Sequence, residues 1–570
     1  MDLSNYFPFQ TIREKQKIVL KEIEDSISSG IKNIFFEAPT GFGKSPIAIA
    51  LALYFGNSHI CTSTIDLQNQ YTRDFQFIKE VKGKRNFPCL LKEQNNGMTE
   101  TCEYGPCQKE DEFDCEYKTK LIEYISSNIG TTNEDIFLDN KAKTKYLKRF
   151  NLQTRLENLE WKPCHYYHQK WIAIKSSHTI YNYKYLLSDI YFSNNIKKRN
   201  LFIFDESHNL ESEISDFKSF TIYNDNVVKL FPNLVLPKNR SYEIETWLDF
   251  CEEYRDNLLE FIDQAEAEIE NGRIREPFTE KNLIDSINRE KNLSQVINDI
   301  KLNNDNWLVT NIEKLGNDSI NKLTITPLDV SNYFDELLEY SSYNLFMSAT
   351  ILSKEYLCKV TGLDPSEIKF IQIKESDFPK KNRPIYLMDI AWLNNKNMEF
   401  HLPLITKTVN NILSIHRNEK GIIHTTSYYQ LNYIKNNISR ENSNRLIETD
   451  PLVSRSEVLN KHYNSKKPSV LISPSLHQGL DLKDDLSRFQ IIIKIPYLDL
   501  SDKKISTLKN RDPNWYMWNT VIRLSQAYGR SIRNKDDHAS TYILDSNITY
   551  LLKHADNMFP IWFKEAIIRR

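Results

Sequence analysis

The chain has 570 residues, enough for roughly three or four domains of ordinary size. Hydrophobic residues make up 40% and charged residues 26%, with a formal net charge of -2, so a disordered, collagenous or globally basic protein is excluded. The longest apolar stretch, residues 47–55, is too short for a bilayer, and the opening MDLSNYFPF lacks the basic and apolar regions of a secretion signal; the expectation is a soluble, intracellular, cytoplasmic protein without membrane contact.

In chain order, short β-branched or aromatic runs predict buried strands at 34–36, 60–63, 201–204, 345–347, 422–424, 470–473, 491–495 and 542–544. Most precede a loop and a helical pattern, the rhythm of parallel α/β layers. The strands divide into two groups at about residue 375, which predicts two α/β domains. Two stretches break the rhythm. Residues 86–170 are rich in Cys, Lys and Glu. Residues 215–330 read as helical, with Trp247, Cys251, Tyr254, Leu258, Ile262, Ala265 and Ile269 at helical spacing and a second pattern through Ile284, Ile287, Val296 and Ile300.

APTGFGKS, residues 38–45, follows the first strand and opens an apolar helix. The chain has only 14 glycines, and two of them, Gly41 and Gly43, stand just before Lys44 and Ser45. Glycines there let backbone N–H groups face a phosphate at the positive end of a helix. Ala38, Pro39, Thr40, Gly41, Phe42, Gly43, Lys44 and Ser45 are thus the candidate ATP-binding loop. Lys44 would reach the β- and γ-phosphates, and the Ser45 hydroxyl would bind Mg²⁺. LFIFDESHN, residues 201–209, ends an apolar strand in two carboxylates. Asp205 would hold Mg²⁺ through water, and Glu206 would orient and deprotonate the attacking water.

MSAT at 347–350 and QAYGRSIR at 526–533 come next, and IYNYKYLL lies at 180–187. With these motifs in this order the chain resembles the XPD–DinG family of superfamily 2 iron–sulfur DNA helicases, departing from it in DESH where DEAH is usual. The resemblance implies two RecA-like motor domains, ATP and Mg²⁺, and ATP-driven 5′→3′ movement on single-stranded DNA with unwinding of forked duplex. DNA repair is among the roles it implies. Arg530 and Arg533 become arginine fingers, a role suited to a planar permanent cation. Gly479 and Asp481, in LHQGLDL, take the place of the motif linking ATP to DNA movement. His208, Ser348, Thr350 and Gln526 take coupling positions, and Gln16 that of the adenine-reading glutamine. The same motor motifs also serve a translocase that remodels without unwinding, or an RNA helicase.

Five of the eight cysteines, Cys89, Cys102, Cys107, Cys115 and Cys164, fall in the first irregular stretch. Clustered thiols in an intracellular protein point to metal more than to disulfides. Four thiolates hold either a tetrahedral zinc or a [4Fe–4S] cluster. The family carries a [4Fe–4S] cluster at this place, its last ligand preceding an aromatic pair, as Cys164 does. Cys89, Cys115 and Cys164 match best, with Cys102 and Cys107 open for the fourth position and zinc as the alternative. Cys61 and Cys251 read as core residues.

A motor that ignores sequence grips the phosphate backbone with hydroxyls and amides and stacks rings on bases. Thr64, Gln68, Thr425 and Ser427 are the candidate DNA contacts, and Lys82, Lys84 and Arg85 could guide a fork. The expected partition is a discontinuous first motor domain (1–85, 171–214 and 331–375), an iron–sulfur insert (86–170), a helical arch-like insert (215–330) and a second motor domain (376–570). One chain then holds both halves of an ATP site, so a monomer suffices.

Overall fold

The computed structural model describes the chain apart from residues 1, 97–99, 106, 108–114, 129–160, 194, 235, 238–241, 315–319, 395, 451–452, 454, 475–481, 483, 533–535 and 569–570. Among the described residues no helix is long and apolar enough to cross a membrane.

Strands β1 (Asn33–Glu37), β2 (Ser58–Thr62), β3 (Lys79–Val81), β4 (His178–Asn182) and β5 (Arg199–Asp205) open the first sheet. The chain then leaves it for β6 (Phe220–Tyr223), β7 (Trp307–Lys314) and β8 (Ile320–Pro327), and returns with β9 (Ser341–Ser348) and β10 (Ile368–Gln372). The first sheet runs β10-β1-β9-β5-β2-β4-β3, with every pairing parallel. A parallel sheet is covered on both faces, so its strands are apolar without alternation. The two faces are still distinct, because successive side chains point opposite ways. Ile34, Phe36, Ile60, Ile203 and Met347 pack on one side with the helix Lys44–Phe55. Phe35, Cys61, Phe202, Phe204 and Phe346 pack on the other, where Phe204 stacks on Phe346 at 4.6 Å between centroids.

A second parallel sheet holds β11 (Ile385–Ala391), β12 (Gly421–His424), β13 (Leu446–Glu448), β14 (Val470–Ser473), β15 (Phe489–Ile492), β16 (Ser540–Asp545) and β17 (Ile567–Ile568). Its order is β13-β14-β12-β15-β16-β11-β17, again with every pairing parallel. All eight strands expected from the sequence lie in these two sheets, and the fold is α/β with two parallel-sheet domains.

The stretch 215–330 is mainly helical, as expected, with one addition. Its two long helices, Glu245–Glu270 and Glu280–Leu302, are present and bury Trp247, Tyr254 and Leu258 against Leu293, Ile297 and Ile300. Beside them lies a three-stranded antiparallel sheet, β6-β8-β7, that helical spacing did not announce. Thr221 pairs with Thr324, and such a strand takes its stability from a partner distant in sequence rather than from its own pattern. The cysteine-bearing stretch touches this unit: Lys92 lies 3.5 Å from Glu280, and Lys281 lies over the Tyr104 ring.

Candidate active site and cysteine cavity

β1, β9 and β5 are adjacent, so their carboxyl ends deliver the phosphate loop, the MSAT segment and DESH to one edge, where open α/β sheets bind ligands. Registers bring Glu37 level with Ser348 and Asp205 level with Met347. The loop turns on Gly41 and Gly43, at φ 81° and 91°. A side chain at Gly43 would also collide with Gln16, whose Nε2 lies 2.5 Å from where a Cβ would sit. Lys44 begins the helix and donates to the Ala38 carbonyl at 3.0 Å. Pro46 is in that helix's first turn, where its missing N–H costs nothing. Gln16 is buried; its Oε1 accepts the Arg13 N–H at 3.0 Å and its Nε2 donates to the Phe42 carbonyl at 2.9 Å. It braces the loop from the first helix, Glu14–Ser28.

Asp205 ends β5 and Glu206 follows it directly. Glu206 has φ 52° and ψ 44°, a left-handed conformation that strains a non-glycine residue by about 1–3 kcal/mol and collects at functional sites. Burial, then the charge of Glu206, raises the Asp205 carboxyl to about 7, against the pull of Lys44. A buried carboxylate beside a partly exposed one, with Lys44 close to the first, forms a donor set that suits a divalent cation, so the residues present fit Mg²⁺.

From Glu206 a chain of contacts crosses to the second domain. His208 Nδ1 lies 3.3 Å from a Glu206 carboxylate oxygen and 2.7 Å from Ser348 Oγ. Burial above all, with Arg530 and Lys44 adding to it, lowers His208 to about 4, so the ring is neutral at pH 7. The Thr350 N–H donates to Ser348 Oγ at 3.1 Å, and Gln526 Nε2 donates to Thr350 Oγ1 at 2.7 Å. Arg530 Nη2 then donates to Gln526 Oε1 at 2.9 Å. Gln526 lies near the end of the helix Pro513–Tyr528, which also sends Trp518 Nε1 to the Ile351 carbonyl at 2.9 Å and Trp515 Nε1 to Glu211 at 3.0 Å. One rigid helix therefore reads the first domain at several points. Gly529 closes the approach: a Cβ there would lie 3.3 Å from Thr40 Oγ1 of the phosphate loop. Gly529 was not singled out in the sequence, although it stands inside QAYGRSIR. Gly479, Asp481 and Arg533 lie outside the described residues.

All five candidate cysteines line one cavity, together with Leu90, Leu91, Tyr117, Lys118, Tyr166 and Tyr167. Cys89, Cys115 and Cys164 each stand immediately before a helix, at Leu90–Asn96, Glu116–Asn128 and His165–Lys175. Each of these sulfurs takes two backbone N–H groups from the turn it starts. Contact with the Cys102 thiol brings Cys89 down to about 6 and Cys164 to about 7, and those two neighbours hold Cys102 well above the ordinary thiol range, while its S–H donates to the Pro88 carbonyl at 3.3 Å. Gly105 leaves room beside them, since a Cβ there would meet Cys89 Sγ at 3.4 Å and Cys107 Sγ at 3.7 Å. The donor set fits a thiolate-bound group. Among the described residues, however, no three His, Cys, Asp or Glu side chains form a group able to hold a single ion. The thiols surround a cavity instead of converging on a point. Cys61, Cys251 and Cys358 are buried in cores away from it.

A family model described as Helicase C-terminal domain matches residues 409–566, and one described as DEAD_2 matches residues 70–227. A probable ATP-dependent helicase of Methanocaldococcus jannaschii is 24% identical, over 95% of this chain and 92% of that protein. The ATP-dependent DNA helicase DinG of Photobacterium profundum is 26% identical, over 42% of this chain and 37% of its own. A solved structure titled XPD helicase shares the fold, at a TM-score of 0.59 and 16% identity, covering 96% of this chain and 99% of that one. Xpd4 of S. tokodaii aligns at a TM-score of 0.53 and 15% identity, over 97% and 99% of the two chains. The chain is an XPD–DinG-type superfamily 2 helicase. Its enzyme class is that of an ATP-hydrolysing helicase.

In this XPD–DinG-type helicase two of the four expected DNA contacts need correction. Gln68 is fully buried, its Nε2 donating to the carbonyls of Val81 and Ile180 at 3.1 and 3.3 Å. It ties its helix, Ile65–Asp74, to two strands. Thr425 is also fully buried. Thr64 and Ser427 stay partly exposed as helix caps, accepting N–H groups from Leu67 and Gln430. Exposed Tyr428 and Tyr429 follow Ser427 and offer rings. Lys84 lies over the Tyr166 ring at 5.6 Å, and burial lowers its pKa beside the cysteines. Lys82 is paired with Glu80 at 2.7 Å.

Proposed function

We propose that this helicase hydrolyses ATP between its two sheet domains and converts the closure of that cleft into 5′→3′ movement along single-stranded DNA, splitting duplex ahead of it. The observation that carries the reading is the continuous path Glu206, His208, Ser348, Thr350, Gln526, Arg530, which joins the water-activating carboxylate of one domain to a buried arginine of the other. In this reading residues 1–85, 171–214 and 331–375 form the first motor and 376–570 the second. Residues 86–170 and 215–330 are inserts where the strands part.

Lys44 and the N–H groups of residues 38–45 hold the phosphates. Glu206 takes the proton of the attacking water. Arg530, with Arg533, meets the charge on the transferring phosphoryl group. Ser45 and Asp205 would hold Mg²⁺, which supplies charge neutralisation on the phosphates. Loss of the γ-phosphate removes the partner of Arg530, and the rearrangement passes through Gln526 and Thr350 to the MSAT segment. Thr64 and Ser427, at corresponding strand ends in the two motors, then shift relative to each other along the strand.

Four of the five cavity cysteines would bind a [4Fe–4S] cluster, which supplies a rigid cross-link for the insert. Cys89, Cys115 and Cys164, with two N–H groups on each sulfur, are three of them in this reading. The spread of thiols around a cavity favours a cluster over zinc, whose ligands meet at about 2.3 Å from one point.

The test is strand displacement by anaerobically purified protein, with ATP and Mg²⁺, on duplexes tailed at the 5′ or the 3′ end. Unwinding of the 5′-tailed DNA alone is expected. Unwinding of the 3′-tailed DNA alone would overturn the polarity, and ATP turnover without unwinding of either would leave a translocase.

A further inference from the structure

Tyr71 sits inside the ATP site without a part in the mechanism above. It lies near the end of the helix Ile65–Asp74 and is 3% exposed. Its phenol donates to Asp205 Oδ2 at 3.0 Å. The Ser45 side chain lies near the same phenol. The other carboxylate oxygen, Asp205 Oδ1, accepts the N–H of Glu206 at 2.9 Å. Tyr71 therefore lies beside the two side chains read as the Mg²⁺ holders and fixes the rotation of the Asp205 carboxylate.

Packing alone does not call for this hydroxyl. The ring belongs to the core between the first sheet and its helices, beside Phe75 and Ile78, where phenylalanine would fill the same space. A hydroxyl buried in such a core costs stability unless it is bonded, and here its bond goes to the Asp205 carboxylate. Mg²⁺ demands near-octahedral geometry and keeps most of its waters. A carboxylate that holds it through water must therefore present its free lone pairs in one direction. Groups that orient metal ligands commonly change metal affinity about 10- to 100-fold when removed.

We propose that Tyr71 is a positioning residue for nucleotide-bound Mg²⁺, holding the Asp205 carboxylate in the orientation that the ion's coordination shell requires. The proposal rests on the reading of Ser45 and Asp205 as the Mg²⁺ holders.

The test compares the affinity of a fluorescent ATP analogue in Mg²⁺ and in EDTA for wild type, Tyr71→Phe, Tyr183→Phe and Asp205→Asn. Tyr183 is the control: its buried hydroxyl donates to the Asp205 backbone carbonyl at 2.9 Å and leaves the carboxylate alone. Tyr71→Phe is expected to lose about tenfold of the tightening that Mg²⁺ confers, with affinity in EDTA unchanged. Tyr183→Phe is expected to keep that tightening in full. An unchanged Mg²⁺ effect in Tyr71→Phe would overturn the proposal, as would an equal loss in Mg²⁺ and EDTA or an equal loss in Tyr183→Phe. If Asp205→Asn also keeps the full Mg²⁺ effect, the underlying reading of Asp205 fails with it; if only Tyr71→Phe does, that reading stands and this proposal alone falls.

Discussion

The phosphate cleft and the cysteine cavity reach a similar end, several reactive side chains around one space, by opposite construction. The cleft collects residues from Gln16 to Arg530, set at strand ends of the two parallel sheets or on helices packed against them, so the hydrogen-bonded sheets fix their positions. The cavity draws only on residues 89–167 and relies on three helix starts that turn N–H groups toward sulfur. Positions held by a sheet persist without a ligand. Positions held by short helices around thiols depend on what the thiols bind, since metal binding and local folding share one free energy.

The largest test of that contrast is chemical. Glu206→Gln and Lys44→Ala should each lower ATP turnover about 10³-fold while circular dichroism and melting temperature stay at wild-type values, because the sheet holds the cleft regardless. A melting shift of many degrees would place those residues in the fold instead. Cys89→Ser should reduce bound iron about tenfold or more and increase proteolysis within the cysteine segment, while nucleotide affinity changes by less than about twofold. Equal losses in both regions would break the distinction between them.

Acid sets the window in which the two regions can be compared. Burial lowers His462 to about 4, with its Nε2 donating to the Leu486 carbonyl and its Nδ1 accepting from Ser469. The unfolded chain takes up that proton near pH 6.5, so stability is full above 6.5 and falls as pH drops from 6.5 to 4. The loss is on the order of 3 kcal/mol, and His462→Gln should remove that share of the slope from a stability-against-pH curve. Gln68→Ala should cost about 1–3 kcal/mol in denaturant unfolding through two orphaned carbonyls, with little change in the salt dependence of DNA binding. A changed salt slope would restore it as a DNA contact. The smallest effect belongs to Thr350→Val, which cuts the path between the domains. Base pairs opened per ATP should drop roughly 2- to 30-fold with nucleotide affinity intact, read by parallel unwinding and ATPase assays.

The sequence by itself determined the two parallel sheets, because strands buried on both faces must be continuous apolar runs and those runs stand out. It also determined the phosphate loop and the DESH carboxylates, where backbone turning and charge leave no choice of residue type at Gly43, Lys44 or Asp205. It named the five cysteines as a group through their crowding alone. Only the tertiary structure decided what those residues face. Gln68 and Thr425 have the polarity of DNA contacts, yet they are buried, and polarity does not report burial. The sheet of β6, β7 and β8 depends on pairing across about a hundred residues, and no local period encodes a partner that far away. Tyr71 reads as an ordinary apolar-face residue of its helix until the fold brings Asp205, 134 positions away, to its hydroxyl.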